Sequence, residues 1–397
     1  MSRVTSLGGL LFAAMLVWYP GTIASAQTID RPHSDLEPGV DPGVRPGDDF
    51  FAYANGSWLQ AAEVPAGKDR WTARNEIDEL TRQQVLKLLD EAGAAPVGSA
   101  ARKVADFRAA YGNQAAIEAR GLAPLKQLLD SIDRVESKAG LTRLLGRGLR
   151  ADVDPLNWGV YRSATLLGLS VEPGIHGEKT KVAFLLQGGL GLPDRDNYVS
   201  AEPPMQALRT RYQEYIGRLL ALAGFDGAEQ RAAAVMALET ALARTQATVE
   251  ASASDHNADN RWTRADFARQ APGMDWSAFF AAAGLARQAT FVAWQPSAII
   301  GLAALVRSEP LEAWKDYARF HVIDALADVL PNAFAEQALA MHGAVTGQPQ
   351  PSPRTQRALE ATQVAMSGAL GRMYAERYFP TEQKARVEAI VANVIAA

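Results

Sequence analysis

Residues 165–187, TLLGLSVEPGIHGEKTKVAFLLQ, set two apolar runs on either side of a polar, turn-rich segment. In the second run Val182, Phe184 and Leu186 alternate with Lys181, Ala183 and Gln187, the period-two pattern of a strand. The intervening EPGIHGEKT has glycines and a proline where a chain reversal needs them. The segment therefore reads as one β-hairpin. Everything around it reads differently, and that contrast sets the fold class.

Outward from the hairpin the period is helical. In NEIDELTRQQVLKLLDEAG, residues 75–93, Ile77, Leu80, Val85, Leu88 and Leu89 form one stripe that stops at Gly93. Helical patterns recur over 100–119, 121–150, 204–224, 228–250, 263–283, 310–345 and 355–378. A last stripe, Val387, Ile390, Val391, Val394 and Ile395, runs through residues 381–397 from a capping Thr381 and is still running at Ala397, which reads as the middle of a structural unit. No fixed-period repeat occurs. The expectation is a mainly α, multi-helix protein with one small β-hairpin.

Residues 1–26 read as a secretion signal. Arg3 is their only charge, Leu7 to Trp18 is a short apolar run, and Ala24-Ser25-Ala26 is a small-x-small cleavage site. The apolar run is shorter than the ~20 residues that cross a bilayer, so no membrane span is expected after cleavage. This implies a periplasmic or secreted bacterial protein. Residues 27–47, ending in PGVDPGVRPG, read as an extended lead-in. A helical domain is expected over 48–378, with 379–397 beginning a connection to another lobe.

At 48% apolar and 21% charged residues the chain is an ordinary globular sequence. Its formal charge of −4 supplies no basic field for phosphate backbones, which argues against nucleic acid as a partner. There is no cysteine, hence no thiol nucleophile and no disulfide. The histidines are His33, His176, His256, His321 and His342, and no two stand four apart, so no helix offers the paired imidazoles of an HExxH zinc site.

Three fragments imitate known sites. HGEKT at 176–180 falls in the hairpin turn and reads as surface. GRGLRA at 146–151 fits a dinucleotide fingerprint but follows a helical run instead of a strand. DHNADNRWTRAD, 255–266, places Asp255, Asn257, Asp259 and Asp266 at calcium-loop positions 1, 3, 5 and 12. Asn260 replaces the loop glycine and Trp262 follows, so the better reading is a polar loop entering a helix capped near Thr263.

Toward the start, GDDFFAYANGSWL (47–59) concentrates aromatics behind Asp48 and Asp49, either of which can cap a short helix. Phe51, Ala54, Asn55 and Trp58 share helical spacing. The expectation is that these aromatics are buried and anchor the chain to its core, at ~1.5–3 kcal/mol per large side chain.

DPGVRPGDDFFAYANGSWLQAAEVPAGKDRW, beginning at Asp41, resembles the opening of the neprilysin-like zinc metallopeptidases, which include the endothelin-converting enzymes. KVADFRAAYGNQAAIEARGLAPL, LLQGGLGLPDRDNY, ALETALA, PGMDW and GRMYAERYFP resemble later landmarks in order, to the end of the chain. The resemblance implies a helical cap domain over a closed chamber that admits short peptides. In that family the other lobe carries HExxH and a further glutamate as zinc ligands. No cofactor is therefore expected on these residues, and zinc is expected in a catalytic lobe of the same protein, the implied partner besides short peptides. The resemblance also implies a role for Arg70. In the family an arginine–aromatic pair, matched by Arg70-Trp71, holds a peptide's C-terminal carboxylate, and a planar guanidinium suits that geometry. Asn75 stands where the family often has aspartate, and Arg74 where it is commonly aromatic. A different class of function, a self-standing helical periplasmic module that binds peptides or partners without cleaving them, is the alternative.

Overall fold

The computed structural model describes residues 39–65, 70–151, 163–178, 180–347 and 352–396. The signal read in residues 1–26 lies outside these, as does the lead-in up to residue 38. Among the described residues no helix is long and apolar enough to cross a membrane. Residues up to Gln83 and residues from Gln84 onward form two compact units.

The hairpin lies in the second unit. Strands β1, Leu167–Pro173, and β2, Lys181–Gln187, pair antiparallel from Leu167↔Gln187 to Pro173↔Lys181. It is half of a sheet. Strand β3, Arg261–Thr263, pairs antiparallel with β4, Thr290–Ala293, and β4 runs parallel to β2, giving the order β1-β2-β4-β3. Three or four residues are too short to show a period, which hid both added strands in the sequence. The central position of β2 explains its composition. Ala183 and Leu185 enter the main core while Val182, Phe184 and Leu186 meet Val292 and Trp294 on the other face, so only Lys181 is exposed.

Helices surround the sheet, and several expected long ones are broken by local chemistry. The 263–283 pattern divides into Arg264–Gln270 and Trp276–Ala282, separated at Gly273, whose φ is +133°, and restarted by the Asp275 carboxylate accepting from Ala278 N. The 310–345 pattern divides into Leu311–Leu326 and Asn332–Thr346 ahead of Pro331. An additional helix, Pro296–Ser308, has proline in its first turn and buries Ile299, Leu302, Ala303 and Val306. Its apolar run lacks a polar face, so periodicity alone does not mark it.

The fragments that imitate sites have structural roles. Gly146 lies in helix Lys138–Gly148 where a Cβ would stand 2.4 Å from the Phe279 carbonyl oxygen, so the glycine lets two helices touch. Asp266 accepts from both the backbone N and the hydroxyl of Thr263, at 2.7 and 2.6 Å, closing a capping box. Those hydrogen bonds hold its carboxyl below the usual range. Asp259 faces the exposed ring of His176 at 2.9 Å across the hairpin turn. Asp259 and Asp266 of the calcium-like loop thus turn to different partners.

In the first unit the expected burial of the aromatic stretch fails at Phe50 and Phe51, while Tyr53 and Trp58 are half-buried. Asp49 caps helix Phe50–Ala61 as read, its Oδ1 accepting from Ala52 N at 2.9 Å. Yet Phe50 and Phe51 are 69% and 66% exposed, and Gly56 is the helix's buried residue. The buried face is Gly56 because the lead-in crosses there: a Cβ on Gly56 would stand 2.7 Å from Asp41 Cβ. Asp41 N donates to Tyr53 O, and Ser57 Oγ donates to Val40 O. Hydrogen bonds to Tyr53 O and from the Ser57 hydroxyl, with close approach at Gly56, hold this entry.

The terminal helix, Thr381–Ala396, buries none of its residues, and its stripe is open, with Val394 72% and Ile395 79% exposed.

Candidate functional site

Arg70 stands exposed just before helix Ala73–Ala92, and no described residue forms a hydrogen bond or ion pair with it. The departures after it are accounted for locally. Asn75 Oδ1 accepts from Thr72 N at 3.0 Å and from the Thr72 hydroxyl at 2.6 Å, and Asn75 N returns a bond to Thr72 Oγ1. This reciprocal cap starts the helix right after the Arg70-Trp71 pair. Arg74 lies 3.9 Å from Asp78 on the open surface, a pair worth little.

The strongest internal order follows β2, in the loop QGGLGLPDRDNY. Each of its glycines has a steric reason. A Cβ at Gly188 would lie 2.1 Å from Thr165 O, and one at Gly191 would lie 1.7 Å from the Tyr212 hydroxyl. Gly189 adopts φ +81°, and its carbonyl accepts from Tyr317 OH at 2.7 Å. Gln246 Nε2 donates to Gly188 O at 2.8 Å. The string is a landmark in the sequence, but what it surrounds comes from residues distant along the chain.

It surrounds Glu239, a fully buried acid at a core position of helix Ala228–Thr245. Tyr198 OH donates to Oε2 at 2.5 Å, Tyr212 OH lies 3.1 Å from both oxygens, and Gly191 N donates at 3.2 Å. His321 Nε2 is 2.9 Å from Oε1. Burial first, then the nearby Glu239, pushes the Tyr198 and Tyr212 phenols well up, so both keep the protons they donate. The signal in the sequence was the one acid among Ala232, Val235, Met236, Leu242 and Ala243 on an otherwise apolar stripe.

Beside this cluster lies a cavity of about 590 Å³, lined by Leu190 and Leu192 of the loop, Tyr212 and Tyr215 of helix Pro203–Leu222, and Met341 and Val345 of helix Asn332–Thr346. Asp324 enters it from helix Leu311–Leu326 and accepts from the Tyr215 hydroxyl. Burial pushes the Asp324 carboxyl up, opposed by the Tyr215 hydrogen bond and by His321.

Zinc needs at least three protein ligands converging on one point. Among the described residues no three His, Asp or Glu side chains do so; the His176–Asp259 and His321–Glu239 contacts are pairs. These residues do not fit a resident zinc ion.

Comparison with known proteins gives a consistent picture. Residues 46–397 match the sequence profile for the N-terminal part of peptidase family M13. Human endothelin-converting enzyme-like 1 is 23% identical over 423 aligned residues, covering 99% of this chain and 54% of the human protein. Mouse endothelin-converting enzyme 1 is 29% identical over 243 residues, 60% of this chain and 31% of that protein. Among solved structures, the Mycobacterium tuberculosis zinc metalloprotease Zmp1 in its open state superposes with a TM-score of 0.77 at 27% identity, over 88% of this chain and 54% of that one. PepO from Lactobacillus rhamnosis shares the fold, with a TM-score of 0.64 at 18% identity over 89% of this chain and 55% of that one. The chain spans about half the length of the human relative and of the mycobacterial enzyme. Single motifs are only moderately specific, but a match running from residue 46 to residue 397 decides kinship: the chain belongs to the neprilysin-like peptidase family M13, of which it carries the N-terminal domain.

Proposed function

We propose that this domain forms the substrate-holding side of an exported zinc metalloendopeptidase that cleaves short peptides, working with a zinc-bearing catalytic lobe of the same protein. The observation that carries the reading is Arg70, an exposed guanidinium without a partner among the described residues, in the position that the family resemblance gives to carboxylate recognition. The open stripe on Thr381–Ala396 supports a further protein surface as its partner, because contiguous apolar patches of this kind mark interaction sites. Export rests on the leader-like residues 1–26.

In this reading the planar fork of Arg70 donates two parallel hydrogen bonds to the C-terminal carboxylate of a bound peptide. Arg70→Met in the zinc-bearing enzyme is expected to reduce kcat/KM for peptides with a free C-terminus by tenfold or more, corresponding to ~1.5–3 kcal/mol for a lost charge-assisted bond. C-terminally amidated versions of the same peptides should be nearly unaffected. An equal loss on both substrate forms would assign Arg70 to packing instead.

A further inference from the structure

We propose that the cavity beside Asp324 is a binding site for the ammonium end of an aliphatic chain, with Asp324 as its anionic anchor. Its walls are apolar at Leu190, Leu192, Met341 and Val345, and its volume of about 590 Å³ is in the range of small-molecule sites. Among the described residues no lysine or arginine lines it. One Asp324 oxygen is taken by the Tyr215 hydroxyl, and the other accepts no hydrogen bond from the described residues.

The charges around the cavity leave a cation wanting. Glu239 lies behind Tyr212, and His321 has its Nε2 directed at Glu239. His342, on helix Asn332–Thr346, lines the cavity from an exposed position. Glu239 and Asp324 therefore lie close together, and among the described residues no guanidinium or ammonium lines the cavity. A half-buried carboxylate whose hydrogen-bond partner is a neutral phenol is disfavoured in its charged form. Burial raising the Asp324 carboxyl agrees with this geometry. An ammonium group would supply the missing charge, while its carbon chain would contact the apolar wall. Tyr212 and Tyr215 also line the cavity, and aromatic rings attract cations. The same chemistry is carried by a peptide's lysine side chain and by a free alkylamine.

The buried charge of Asp324 also lowers stability. An acid whose folded-state value is raised favours folding below its ordinary range, and that contribution is lost as pH rises through the raised value. At a pH above the raised value, Asp324→Asn should melt at the same temperature as the unmodified protein or higher, since the amide oxygen still accepts from Tyr215. A residue retained at a loss of stability is characteristic of binding sites.

Titration calorimetry with n-hexylamine, acetyl-Ala-Lys-Ala-amide and 1-hexanol tests the site. At least one of the two amines should bind, and hexanol should bind roughly tenfold more weakly or worse. Binding by the peptide alone would identify a lysine side chain as the occupant; hexylamine binding as well or better would identify a free amine. Asp324→Asn should weaken amine binding by about tenfold or more without a lower melting temperature, and Met341→Trp should abolish it by filling the cavity. No binding of either amine, amine binding indifferent to Asp324→Asn, or a marked fall in the melting temperature of that variant would overturn the proposal.

Discussion

Glu239→Ala is expected to destabilise the second unit by about 3–5 kcal/mol, among the largest effects a single substitution has. The carboxylate is fully buried and is the common acceptor for Tyr198, Tyr212, Gly191 N and His321. Removing it strands several donors in the interior at ~1–3 kcal/mol each, with incomplete additivity because they share one centre. The loss reaches the loop after β2. Tyr198 OH, which donates to Glu239, also accepts from Leu192 N at 2.8 Å, so the Gly191–Leu192 turn loses its support from both sides. Glu239→Gln keeps one acceptor oxygen and should cost less than half as much. Urea unfolding followed by tryptophan fluorescence measures both variants. An alanine variant within about 1 kcal/mol of the parent would show that the tyrosines find other acceptors and that the loop does not depend on this acid.

The glycine pattern of that loop was legible, its cause was not. QGGLGLPDRDNY stands out as a string, yet Gly188 and Gly191 are fixed by atoms of residues 165 and 212, distant in sequence. Glu239 was visible as an acid in ALETALA, but only folding brings Tyr198, Tyr212 and His321 to it. The existence of the hairpin and of most helical segments follows from local period, which a sequence carries directly. Strands β3 and β4 are too short to carry one, and they exist because β2 offers a parallel edge to Val292 and Ala293. The aromatic stretch shows the opposite error. Its helical spacing and its Asp49 cap were readable, but burial depends on what lies opposite, and Gly56 instead receives Asp41. Asp324 and its cavity left no trace in periodicity, because six separated segments build the walls.

The proposed function divides one chemistry between two parts of a protein: these residues would hold the peptide, and a zinc-bearing lobe would cleave it. Among the described residues the ligand-capable side chains meet in pairs, short of the three that zinc requires. Metal analysis of the purified 397-residue chain after dialysis, alongside hydrolysis of a short fluorogenic peptide in added zinc, tests this division most directly. The account predicts far less than one zinc per chain and no hydrolysis above buffer. One zinc retained per chain, or peptide turnover that a chelator abolishes, would contradict it.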